Sequence, residues 1–202
     1  MERLDVKIMA NETGKNHLST GVLLAWQIAA IEAAASQHQY IEIEHLLIGI
    51  CSLGKIFKYS GTGAGFELKQ QYALQMEHQA VTGILLKQKL DEVQLRREIR
   101  QKLGTGQFQH FEKIIHRSPA CKKIFDQAAA AAGANGELNC LYLLDAIFSN
   151  PGAIISDVIR AKGLEVNDHQ TIAFQIVKEE VPEVEGQKPR IIELNLVIRQ
   201  KD

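Results

Sequence analysis

Glu44 and His45 stand next to each other in an apolar stretch, setting a carboxylate beside an imidazole, the groups of acid–base and metal chemistry. Neighbours on a helix point about 100° apart, and no second ligand follows at i+4, so the pair does not read as a metal site. His45 faces a leucine stripe and is expected to pack rather than react. Glu44 is either a ligand carboxylate or a stabiliser of its own helix start through the dipole. Cys51, Cys121 and Cys140 are odd in number, widely spaced and set in apolar helical stretches, which predicts buried free thiols. Cys121 follows a capped helix start and precedes Lys122 and Lys123, so it is the one thiol placed for a depressed pKa. Gly61-Thr62-Gly63-Ala64-Gly65 lacks a following Gly-Lys-Ser/Thr and a preceding apolar strand, which argues against a phosphate loop. No cofactor is expected.

Other chemistry-bearing residues have plainer readings. Arg96, Arg97, Arg100 and Lys102 share a helix with Asp91, Glu92 and Glu98, the pattern of a solvated face. Trp26 has Val22, Leu23 and Ala30 at helical spacing and is expected to fill the core of the first half. Phe57, Tyr59, Phe66 and Tyr72 form either an exposed recognition lobe or a cover for an apolar seam.

The elements that must position these groups read as helices. The 202 residues are 46% hydrophobic and only 6% aromatic, with alanines clustered at 29–35 and 128–132, where small side chains let helices approach closely. A net charge of -1 supplies no field for phosphate backbones, so nucleic acid is not an expected partner. No run approaches ~18 uninterrupted apolar residues and the first residues lack a signal-peptide core, so neither membrane nor secretion is expected, and a reducing cytoplasm is.

The chain also repeats itself. Ser19 opens an Ala-rich helix leading to Leu46-Leu47, and Ser118-Pro119 opens another leading to Leu143-Leu144. Residues 84–91 and 158–165 are a second matching pair, at shorter spacing, so the first copy carries an insertion. This divides the chain into an arm (1–17), repeat one (18–106, insertion 55–80), repeat two (107–180), and a linker with a strand (181–202). Within repeat one, helices are expected from Ser19 to about Ser36, from Ile43 to a stop at Gly54, over Val81–Lys89 and over Asp91–Leu103, ended by Gly104. In repeat two, Gly133 to Gly136 ends the first helix and Asn139 caps the next. Asn150-Pro151-Gly152 breaks that one, and helices follow over Ile154–Lys162 and Asn167–Lys178. Ile191 to Ile198 alternates like a strand and needs an extended partner: Leu4 to Ile8, Thr171 to Val177, a missing domain, or another chain.

The string from Ser36 to Leu47 resembles the signature of the Clp amino-terminal repeat, a Gly-His-x-Tyr-Ile turn leading to Thr-Glu-His and a leucine pair. His38, Tyr40, Ile41, Glu44, His45 and Leu47 match it. Leu18-Ser19-Thr20 falls where that family opens its first helix, Leu95 to Ile99 is typical of its closing helix, and Ser118-Pro119 begins the second copy. The resemblance covers about residues 18 to 178 less the insertion. It implies an all-α body of two four-helix repeats, as at the front of Clp-class AAA+ unfoldases, where such domains recruit unfolded or phosphoarginine-tagged proteins or adaptors for the ATPase. The recruiting surface there uses the glutamate of each Thr-Glu-His and an apolar groove between repeats. Glu44 supplies that glutamate in copy one, with Ser19 and Thr20 at the helix start. Copy two has Asn139-Cys140-Leu141, which puts Cys140 at the glutamate's place and leaves a two-carboxylate clamp half absent. The expected function is therefore non-enzymatic recognition of substrate or adaptor. The alternatives are a small thiol or histidine hydrolase using Glu44, His45 and Cys51 or Cys121, and a self-assembly module that dimerises through its C-terminal strand.

Overall fold

A computed structural model describes residues 17–59, 67–111, 114–134 and 136–164. The chain is mostly helical. In order come β1 (His17–Leu18), α1 (Thr20–Ala35), α2 (Ile43–Ile50), α3 (Leu53–Tyr59), α4 (Leu68–Lys87) and α5 (Glu92–Leu103). These are followed by α6 (Pro119–Ala132), β2 (Glu137–Leu138), α7 (Cys140–Ser149) and α8 (Ala153–Ala161). The expected arm strand near Leu4, the glycine run at 61–65, the helix at 167–178 and the strand at 191–198 lie outside the described residues. No described helix is long and apolar enough to cross a membrane.

Local chemistry sets most helix ends. Ser19 caps α1 by accepting from the Val22 amide, Ser118 caps α6 by accepting from Cys121, and Asn139 caps α7 by accepting from Leu141 and Tyr142. Pro119 occupies the first position of α6, where a missing amide costs no hydrogen bond. Gly104 and Gly133 end α5 and α6 with φ of 68° and 79°, a left-handed backbone that favours glycine.

Three expectations change. The second helix stops at Ile50 rather than Gly54, and Gly54 lies inside α3. It has no side chain because the His78 ring packs there, at a point where a Cβ would stand 2.6 Å from Nε2. The expected border at residue 80 falls in the middle of α4. With no breaker from Leu68 to Thr82 and with Leu74, Val81 and Leu85 buried along one stripe, insertion and closing helix are one rod. Arg96 is not on a solvated face. It is buried and donates from Nη1 to the Cys51 carbonyl at 3.0 Å and to Ser52 Oγ at 3.2 Å, a cation at the C-terminal end of α2, where the dipole favours it. Arg100 grips the Glu32 carboxylate with two nitrogens, one of them Nε at 2.8 Å.

One apolar cluster runs through the described helices. Within it α1 and α2 cross so closely that a Cβ on Gly49 would lie 2.1 Å from the Ala25 carbonyl oxygen, a backbone atom that cannot move aside alone. Gly49→Ala is expected to lower stability by about 1–3 kcal/mol through overpacking, read as a fall in the urea midpoint at unchanged slope. Trp26 is buried in this cluster, as expected, and its ring lies 5.3 Å from that of Phe125 on α6. The Arg117 guanidinium sits 4.4 Å over Trp26 and 4.5 Å over Phe125. The contact between α1 and α6 is therefore closely packed.

Candidate functional site

Two backbone bridges set four helix starts in two pairs. The segment before α1 runs parallel to the one before α7, with His17 opposite Glu137 and Leu18 opposite Leu138, and the Ser19 amide donates to the Leu138 carbonyl. The segment before α2 meets the one before α6 at Ile41 and Arg117; there Ile41 donates to the His116 carbonyl, and Ser118 donates to that of Ile41. The first joint thus brings together the amide-rich ends of α1 and α7, and the second those of α2 and α6, each carrying partial positive charge.

Glu44 lies in the first turn of α2, at the second joint, and is only 8% exposed. Its carboxylate reaches Gly152, the residue that starts α8; a Cβ there would come within 2.4 Å of Oε1. Burial pushes its pKa up, aided by Glu42, against the opposing pull of its own backbone amide and of His38. The ion pairs among the described residues are His78 with Glu92, Arg100 with Glu32 and Lys162 with Glu98, and none involves Glu44. The position holds a shielded carboxyl to which no basic side chain is paired among the described residues.

His45 plays the packing part expected of it. It is 1% exposed, its Nδ1 accepts from the Glu42 amide at 3.0 Å, and its Nε2 lies 3.4 Å from Ser36 Oγ. Nδ1 is therefore the unprotonated nitrogen. Burial, with a smaller push from His38, lowers its pKa to about 4, so the ring is neutral at physiological pH.

At the first joint, Ser19 is buried and donates to Glu77 Oε1 at 2.9 Å, while the Cys140 amide donates to the same oxygen at 2.5 Å. Thr20 is the first residue of α1 and half-buried. The Cys140 side chain is fully buried, and at this joint both its backbone amide and its thiol hydrogen-bond Glu77. Its match to Glu44 also shifts. Counted from the caps Glu42 and Asn139, the residue in Glu44's place is Leu141, and Cys140 corresponds to Ile43. The leucine pairs stand at equal distance from those caps, which fixes the register.

All three thiols are free and buried. Burial pushes Cys51 and Cys121 up to about 12 and raises Cys140 well above the usual thiol value. Cys121, the one thiol placed for a depressed pKa, is instead buried as expected of all three, and desolvation outweighs the pull of Arg117.

Sequence reasoning missed Gly152, Glu77 and Arg117. Gly152 reads as a helix breaker, Glu77 as one acid in a polar insertion, and Arg117 as a residue before a cap; nothing in their local spacing points to the joints. It also missed an apolar rim. The connection into α6 presents Phe108, Phe111 at 91% exposure and Ile114, and Tyr40, the neighbour of bridged Ile41, is exposed as well. The Phe108 amide donates to the Gln37 carbonyl, and His110 Nε2 hydrogen-bonds that of His38 at 2.8 Å, which holds this rim against the turn before α2. The expected aromatic lobe cannot be assembled: Phe66 and the side chains of Phe57 and Tyr59 lie outside the described ones, and Tyr72 is exposed. No protein-family model matches the chain, and no curated protein is similar to it.

Proposed function

We propose that the chain is a non-enzymatic recognition domain of the kind that the Clp amino-terminal resemblance implies. It takes up unfolded or tagged protein segments, or an adaptor, at the second joint and works beside an AAA+ ATPase module. The observation that carries this reading is Glu44. A carboxylate held at 8% exposure, raised in pKa by burial and paired with no basic side chain among the described residues costs the fold stability and is suited to receive a cation from outside. A guanidinium or ammonium on an incoming segment supplies that cation, and the rim of Tyr40, Phe108, Phe111 and Ile114 supplies apolar contact for the residues beside it.

The reciprocal bridges support a duplication with halves at 18–106 and 107–180, because each half's first helix start is tied to the other half's second. Leu141 in place of a second glutamate makes the two joints unequal, and leaves Glu44 as the acidic member of the pair.

Binding of a terminally blocked, unstructured peptide that carries one arginine among apolar residues tests the reading by fluorescence anisotropy. Glu44→Gln is expected to weaken binding by roughly tenfold or more, the usual effect of removing a charged hydrogen-bond partner, and to leave the peptide's glutamine counterpart unaffected. The same variant is expected to be more stable at neutral pH, since a carboxyl with a raised folded pKa loses stability as pH climbs through that value; the gain should vanish below about pH 4.5. Equal affinity of the chain and of Glu44→Gln for the arginine peptide would discard the proposal.

A further inference from the structure

Three histidines meet around the turn before α2, and their hydrogen bonds sort them into two kinds. His45 uses Nδ1 as an acceptor from the Glu42 amide, so a proton added there would break a bond. His38 and His110 are joined the other way: Nε2 of His38 lies 3.3 Å from the Gly104 carbonyl oxygen, and Nε2 of His110 lies 2.8 Å from that of His38. A carbonyl oxygen only accepts, so both rings donate from Nε2, and a second proton goes to Nδ1 and strengthens the bond already made. His38 is half-buried and lies between the acid and the rim. Its ring stands edge-on to that of His45, the residue after Glu44, with 4.9 Å between centroids, while its carbonyl holds His110, whose ring lies 4.9 Å from that of Phe108. The Gly106 amide donates to the Ser36 carbonyl at 2.8 Å, and a Cβ on Gly106 would fall 2.3 Å from the Gln37 carbonyl oxygen, so connection and turn are fixed backbone to backbone. Burial dominates at Glu44 and at His45, and the charge of His38 acts on both, favouring the carboxylate and disfavouring a His45 imidazolium. Glu42 faces the same corner from the turn, and Cys121 and Arg117 face it from the start of α6. Cys121, pushed up to about 12 by burial, stays neutral, and Arg117 stays charged with its guanidinium over Trp26 and Phe125. The start of α8 brings Gly152, which has no side chain.

We propose that His38 is an internal competitor for the cation that Glu44 receives: uncharged, it leaves the carboxylate to a guanidinium or ammonium on a client, and as an imidazolium it supplies the positive charge itself, so that mild acid releases the client. The proposal rests on the recognition reading of Glu44 and adds the regulation of that site. The bonds from His38 to Gly104 and from His110 to His38 survive protonation, so the aromatic rim keeps its place while the affinity for a cation falls.

The test measures the affinity of the full chain for the blocked one-arginine peptide by anisotropy at about pH 7.5 and about pH 6, above the range where protonation of His45 costs most of its stability, with circular dichroism to show that each protein stays folded. The unaltered chain is expected to lose affinity by about threefold, the scale set by charging one histidine over this interval. His38→Gln keeps an N–H for the Gly104 carbonyl but takes up no proton, so its loss should stay under about 1.5-fold. His110→Gln should lose affinity as the unaltered chain does, since the charge of His110 is not among those acting on Glu44. His38→Lys, with a charge at both pH values, should bind at pH 7.5 as weakly as the unaltered chain does at pH 6. Calorimetry at pH 6 in two buffers of different ionisation heat should show peptide binding releasing more protons from the unaltered chain than from His38→Gln, as linkage requires. Parallel losses in the unaltered chain and His38→Gln overturn the competitor, and so does a loss removed by His110→Gln instead. Should His38→Gln fail to fold, undiminished affinity of His38→Lys at pH 7.5 overturns it. Equal binding of the arginine peptide by the unaltered chain and by Glu44→Gln discards the recognition reading and this proposal with it, whereas Glu44-dependent binding with parallel pH profiles discards this proposal alone.

Discussion

Truncation of Phe125 to alanine is expected to lower the unfolding free energy by roughly 3–5 kcal/mol, the range for removing a fully buried aromatic ring from a packed interior. The ring is 1% exposed and sits where α6 meets α1, 5.3 Å from Trp26 and 4.5 Å under the Arg117 guanidinium. Its loss removes apolar burial, opens a cavity that neither α1 nor α6 can close alone, and strips one of the two aromatic faces from a buried cation. Phe125→Leu keeps most of the volume and should cost less than about 1.5 kcal/mol. Urea unfolding followed by helix circular dichroism measures both. Trp26 fluorescence adds a second reading from that contact itself, expected to coincide with the dichroism if the helices unfold together. A fall of under about 1 kcal/mol for the alanine variant would mean that the contact between α1 and α6 contributes little to the fold.

Mild acid should weaken the fold through His45, by about 3 kcal/mol in full. Its pKa is about 4 in the folded chain, against 6.5 for an unperturbed imidazole, and each pKa unit corresponds to about 1.4 kcal/mol. The unfolded chain binds the proton first, so stability begins to fall as pH drops through 6.5 and the loss is complete below about 4. Burial is the main cause: charging the ring would place an ammonium-like group in the core and break its role as acceptor from the Glu42 amide, with His38 adding repulsion. His45→Gln keeps an acceptor oxygen but does not titrate, so its stability should stay flatter between pH 6.5 and 4 than that of the unaltered chain. Glu92, lowered by its hydrogen bond to His78, and Glu44, raised by burial, are present in both proteins, so their contributions drop out of the difference. Parallel pH curves for the two would refute the buried neutral imidazole.

The helices most legible in the sequence are those whose ends carry their own chemistry. Ser19, Ser118-Pro119, Asn139, Gly104 and Gly133 mark starts and stops with side-chain acceptors, a preset φ or a left-handed turn, all acting within a few residues. Gly54 misled for the same reason: it resembles a stop, yet its lack of a side chain answers to a histidine far along the chain. Glu44 and His45 stood out because an acid and an imidazole before a leucine pair are conspicuous. Their opposite fates, an acid raised and with no paired cation among the described residues and a base lowered and bonded, depend on desolvation.

The sequence by itself determined the all-helical character, the caps, the buried thiols and the packing role of His45, since periodicity and local hydrogen bonding need no distant partner. Only the tertiary structure decided which helix starts lie side by side, that Arg96 caps α2 from inside, that Trp26 packs on Phe125, and that Glu77 lies at one joint and Glu44 at the other. Those outcomes join residues dozens of positions apart, and their energies come from exclusion of water and from close approach of backbones, quantities that exist only once the helices have packed.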